Sequence, residues 1–262
     1  MNYAERVDAA YRRGEIDVVV RMSQAEIERT QQESDPTRRV IALFSLARVA
    51  LRDGDLQGAA DRAEEALAVA RQCADRSLEE RPRLVLAAVA RMTGDLARAR
   101  TLFWECIAYN QGRGRPKLVY AQYHNLAFCE LGLGDVDLAR SLFAENRLRV
   151  FQQGWDDLVP YVCVADAALA CAEGDYLRAA RMVGAADSAF AALGHVPDPD
   201  DMVDLAAIRA TAVAALGLPD FNAHRAQGHL LHPRTMFDVG RRFDDDRHVD
   251  FHPPEAQVSS RR

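Results

Sequence analysis

A glycine followed by an acidic residue returns every forty positions through most of the chain: Gly14-Glu15, Gly54-Asp55, Gly94-Asp95, Gly134-Asp135 and Gly174-Asp175. Other offsets keep the same register. Seven places before the glycine stand Ala47, Ala87, Ala127 and Ala167, and five places after it Ala59, Ala99, Ala139 and Ala179. Two after it come Leu56, Leu96, Val136 or Tyr176, and nine after it Ala63, Phe103, Phe143 or Val183. A glycine supplies the left-handed residue that ends one helix. The acid that follows caps the free N–H groups of the next and faces the positive end of its dipole. The two alanines mark where an antiparallel helix pair must approach closely, and the larger residues fill the seam with the neighbouring pair. One such pair cannot bury its apolar face alone, so the units must stack.

The totals agree with this reading. Of 262 residues, 49% are hydrophobic but only 7% are aromatic, and alanine is abundant, which favours an all-α chain over a sheet protein. The formal charge is −6, and the arginines are interleaved with Asp and Glu, so no basic strip remains to follow a nucleic-acid backbone. The first residues, "MNYAERVDAAYRRGE", are too charged for a signal peptide, and "LVLAAVA" at 84–90 is about the longest apolar run, so a soluble, cytoplasmic protein with no membrane partner is expected. Five cysteines without a C-x-x-C read as buried small hydrophobes, not as disulfides or a zinc site.

The stretches "GDLARARTLFWEC" and "GDVDLARSLFAEN" resemble the tetratricopeptide repeat, although the usual repeat is about 34 residues and the period here is forty. The extra residues fall between units, before Pro82, Pro116 and Pro160, which suit a first helical turn. The resemblance implies a right-handed α-solenoid. Nearer the end, "AARMVGAADSAFAALG" and "AVAALGLPDFNAHRAQGHLL" are similar to the last repeats of LuxR-type and related bacterial ATPase regulators, in which such an arm accompanies an NTPase and a DNA-binding helix-turn-helix. Neither module is found in this sequence. A phosphate-binding G-x-x-x-x-G-K-[ST] loop needs a lysine, and the only one, Lys117, stands in "GRPKLVY".

The repeat domain is expected over 1–234, with units at about 1–33, 38–74, 80–112, 117–153, 157–193 and 202–231. "GHVPDPDDMVDL" reads as a connector and 235–262 as a polar, flexible or loosely docked tail. The first helix of each pair lines the concave face. Projecting it gives a mostly apolar groove that includes Phe44, Leu84, Phe128 and Val164, with Arg48, Arg91 and His124 as polar exceptions. The two arginines could meet a carboxylate in the groove, but pairing with a nearby acid on their own helices is the favoured expectation. Asp166, inside the apolar "YVCVADAALACA", reads as a buried acid with an arginine partner or, alternatively, as an acid lining a pocket. His229 and His232, which could share a helical face at i, i+3 spacing, and the tail residues Asp244, Asp245, Asp246, His248, Asp250 and His252, which have no rigid framework, are of metal-ligand type, but no metal and no cofactor is expected. No catalytic motif stands out. The sequence therefore points to a non-enzymatic adaptor or sensor that holds a peptide, a helix or a second copy of itself in its groove. A receptor for a small apolar ligand is the alternative, and an enzyme on the same scaffold comes after it.

Overall fold

The computed structural model describes residues 1–33, 35–73 and 75–237, with the backbone alone for 31–33. Among these the chain is all-α. Six helix pairs follow one another: α1 (Tyr3–Arg12) with α2 (Ile16–Glu33), α3 (Pro36–Arg52) with α4 (Leu56–Arg71), α5 (Glu80–Met92) with α6 (Leu96–Gln111), α7 (Pro116–Leu133) with α8 (Val136–Gln153), α9 (Val159–Ala172) with α10 (Tyr176–Leu193), and α11 (Pro199–Leu216) with α12 (Leu218–Leu230). A short α13 (Pro233–Met236) ends the described part, where Phe237 lies against Phe151 with ring centroids 5.7 Å apart. The histidines and aspartates of 244–252 lie outside the described residues.

Each forty-residue joint is built alike. Gly14, Gly54, Gly94, Gly134 and Gly174 have φ between 75° and 89°, a region closed to most residues with a Cβ. At four of the five the next residue's N–H reaches back, as from Asp55 to the Ala50 carbonyl at 2.9 Å and from Asp175 to that of Ala170 at 2.8 Å. The aspartate side chain then accepts from the N–H three residues on: Gly58 for Asp55, Arg98 for Asp95, Leu138 for Asp135 and Arg178 for Asp175, at 2.9–3.2 Å. The eight register alanines are fully buried at 0% exposure, so the helices do meet backbone to backbone where the sequence keeps the side chain small. A second glycine set closes second helices, with Gly154 and Gly194 at φ 66° and 62° and Gly114 at 61°, again forty apart.

The array is an α-solenoid of tetratricopeptide-like pairs, with the odd-numbered helices on its inner side. The last pair departs from it. Its joint glycine, Gly217, comes three places later than the forty-residue register would put it, and α12 packs along α10 instead of stacking mainly on α11. There Gly184 and Gly228 let two backbones touch. A Cβ on Gly184 would lie 2.0 Å from the Arg225 carbonyl oxygen, and one on Gly228 would lie 1.8 Å from that of Arg181.

Candidate functional site

The inner trough is not open along its length, because the chain itself occupies the half nearer the joints. From Gly194 the connector crosses to the first unit, where the Val196 N–H donates to the Arg12 carbonyl at 2.8 Å. An Arg52 N–H donates to the Pro197 carbonyl at 3.0 Å. Asp198, at the residue before α11, and Asp200, Asp201 and Asp204 in its first turns, an arrangement the positive end of a helix favours, then meet side chains of the inner helices. Asp198 meets Arg48 at 3.2 Å and accepts from the Tyr161 hydroxyl at 3.1 Å. Asp200 and Asp204 hold Arg91 from two sides at 2.7 and 2.8 Å. Asp201 meets His124 Nε2 at 2.8 Å, and with Asp201 ionised the ring donates.

Burial sets the electrostatics of this cluster. It pushes the Asp201 carboxyl up to about 6, the His124 contact offsetting only part of the penalty, while Asp200 and Asp204 add repulsion. Asp204 is likewise raised by burial despite Arg91. For Asp200 burial acts upward too, but the charge and hydrogen bond of Arg91 outweigh it and carry the group below the usual range. Asp8 on α1 behaves as Asp200 does. Half-buried, it is held low by Arg48, at 2.9 Å, and by Arg12 against the upward push of desolvation.

What is left of the trough is a chamber of about 840 Å³ between α1, the inner face of α3, the earlier turns of α5 and α7, Tyr161 of α9 and the N-terminus of α11. Its wall is mixed. Ile41, Phe44, Leu84 and Leu118 supply apolar surface, the carboxamides of Gln122 and Asn125 lie on α7, and Asn146 reaches it from α8. Of the residues expected on the inner face, Phe44, Arg48, Leu84 and His124 line this chamber. Arg91 lies outside it, taken up by α11, its guanidinium 5.2 Å from the Phe128 ring centroid. Phe128 packs on His124 and Phe143 in the core, with centroids 5.0 and 5.2 Å away, and Val164 is fully buried.

One expectation is corrected outright: neither Arg48 nor Arg91 pairs with an acid of its own helix. Arg48 takes Asp8 and Asp198, and Arg91 takes Asp200 and Asp204. The residues that sequence reading missed are those four connector aspartates and Arg81. The first had a signal in the density of Asp over 198–204, and the second lies one turn before Leu84 on the same helical stripe.

The other candidates fall elsewhere. Asp166, 3% exposed, accepts from Arg147 at 3.2 Å and from two nitrogens of Arg178, away from the chamber, which is the buried-acid arrangement of its two alternatives. The Cys106 and Cys129 thiols are pushed up to about 12 by burial, far from thiolate chemistry at neutral pH. His232 caps α13 through Nδ1, accepting from the Arg234 N–H at 3.2 Å. Among the described residues no group of three or more His, Cys, Asp or Glu is placed to hold a metal ion, and no helix is long and apolar enough to cross a membrane.

No protein-family model matches the chain. No curated protein matches it at a significant level. Solved structures share its fold. A Rap protein complexed with Competence and Sporulation Factor superposes with a TM-score of 0.63 at 16% identity, over 90% of this chain and 69% of that one. BtubC (BKLC) from P. vanneervenii does so with a TM-score of 0.53 at 17% identity, over 92% of this chain and 98% of that one. At such identities the likeness is one of fold.

Proposed function

We propose that this chain is a non-enzymatic regulatory binding module whose chamber takes a short peptide. The observation that carries the reading is the chamber itself. At about 840 Å³ it falls within the ~300–1,000 Å³ of sites that enclose small ligands. Within that volume a helix about 10–12 Å across has room for less than roughly two turns, so a short segment is enough to fill it. Carboxamides beside apolar side chains suit an extended backbone, whose N–H and C=O groups need partners at every residue. The Rap protein complexed with Competence and Sporulation Factor supports a regulatory ligand within this fold. A small apolar ligand is the second reading, and it is favoured by the closure of the trough by α11.

The test is affinity selection from a mixed-sequence hexapeptide library, with bound peptides read by mass spectrometry. The wild-type protein is expected to retain a subset of peptides. Ala88→Trp or Ala121→Trp, each placing an indole in the chamber wall, is expected to lose them with helical circular dichroism unchanged. No retention by the wild type, or equal retention by both folded variants, would overturn the proposal.

A further inference from the structure

The cations around the chamber are not equivalent. Arg12 meets Asp8 at 3.0 Å, Arg48 meets Asp8 at 2.9 Å, Arg115 meets Glu80 at 3.2 Å and Lys117 meets Asp157 at 2.6 Å. Arg81, on the first turn of α5, is different. Among the described residues it has no carboxylate within ion-pair distance, and its guanidinium lies over Phe44, 5.3 Å from the ring centroid. Its surroundings do not compensate for this. Desolvation pulls its pKa down, Arg48 adds repulsion, and Asp8 and Glu80 act on it only at longer range. Arg81 is itself exposed at the half-open chamber, where its planar fork of five N–H donors has no carboxylate opposite it.

We propose that Arg81 is the anchor for a carboxylate on the chamber's ligand, the free C-terminus of a short peptide whose apolar side chains lie on Phe44, Leu84 and Leu118. This rests on the peptide reading above and narrows it. The other basic side chains around the chamber are committed to protein carboxylates, so a second anion has one docking point, beside the Phe44 ring. Polar partners for the peptide's backbone are at hand too, in the carboxamides of Gln122 and Asn125 on the same wall.

Two hexapeptide libraries of the same composition, one with free C-termini and one amidated, test the proposal on the full chain, with decanoate as a third probe. Wild type is expected to favour the free acids by about tenfold or more, the worth of a charge-assisted hydrogen bond in a screened pocket. Arg81→Met, which keeps the stem over Phe44, is expected to bring the ratio to one, and Arg81→Lys to restore part of it. Circular dichroism and thermal melting establish that the variants fold. Equal retention of acid and amide, or a preference that survives in Arg81→Met, would overturn the carboxylate anchor while leaving the peptide reading standing. Retention of neither library would overturn both. Binding of decanoate alone, lost in Arg81→Met, would place a small carboxylic acid where the peptide is proposed and so overturn the peptide source.

Discussion

Asp201 stands 2% exposed between His124 and two further aspartates, and its protonated form is the one the fold prefers. Its pKa rises from 3.8 in the open chain to about 6. The stabilisation it brings is therefore complete below about pH 4 and lost as the pH climbs through 6. A tenfold change in acidity is worth about 1.4 kcal/mol, so Asp201→Asn, which still accepts from His124, should be the more stable protein above pH 6 by about 1–3 kcal/mol. Urea titrations at pH 4, 6 and 8 check this, the two proteins converging at the acid end. Asp200 has the opposite sign, since a depressed pKa contributes above its unfolded value and fades as the pH falls. Arg91 is what holds it low. Arg91→Met leaves Asp200 and Asp204 buried without a partner, which should cost about 3–5 kcal/mol. It should also free the first turn of α11, giving new proteolytic cleavage between residues 195 and 204. None of this was legible from local spacing. Arg91 and Asp200 are 109 positions apart in the sequence, and an arginine's helix-mates give no hint of an acid that arrives from so far along the chain.

At the scale of helices the sequence was far more readable, because the determinants are local. A left-handed glycine, an aspartate that caps three residues on and alanines at fixed offsets act within one hairpin, and each recurs. The glycines at 114, 154 and 194 have the same spacing but lie between units of varying composition, where Ala74 breaks the series. The return of α12 onto α10 is a different matter, set by Gly184 and Gly228, which a sequence reader sees only as two helix-weakening residues. Gly184→Ala tests the crossing. Alanine gains about 1 kcal/mol of helix propensity. Its Cβ, however, would sit 2.0 Å from the Arg225 carbonyl oxygen, so the backbones must part. A net loss of about 1–3 kcal/mol is expected by urea denaturation. Gly112→Ala is the contrast, because there φ is −62° and the nearest atom lies 3.6 Å away. It should be neutral or slightly stabilising.

For the molecule as a whole, the decisive feature is that the connector after the fifth unit reaches back to the first. In an open solenoid each unit touches only its neighbours, and the two ends are energetically independent. Here the Val196–Arg12 hydrogen bond and the Asp198–Arg48 pair couple them, so the two ends are joined through the connector and the trough is narrowed to a half-open chamber. A cross-link across this contact gives the test. A Cβ at Gly14 would lie 4.0 Å from that of Val196, within the ~3.5–4.5 Å that a disulfide spans. In Gly14→Cys/Val196→Cys the oxidised and reduced forms share the same strain at position 14, where φ is +75°, so their difference isolates the closure. The bond would tie together a loop containing most of the chain, for which a gain of about 3–5 kcal/mol is the entropic expectation. The oxidised form should melt several degrees higher than the reduced one, with an unchanged radius of gyration by small-angle scattering. A bond that fails to form under mild oxidation, or one that forms only with a contraction of the particle, would mean that the ends are apart in solution. The chamber would then revert to an open trough, and the size limit that favours a short ligand would go with it.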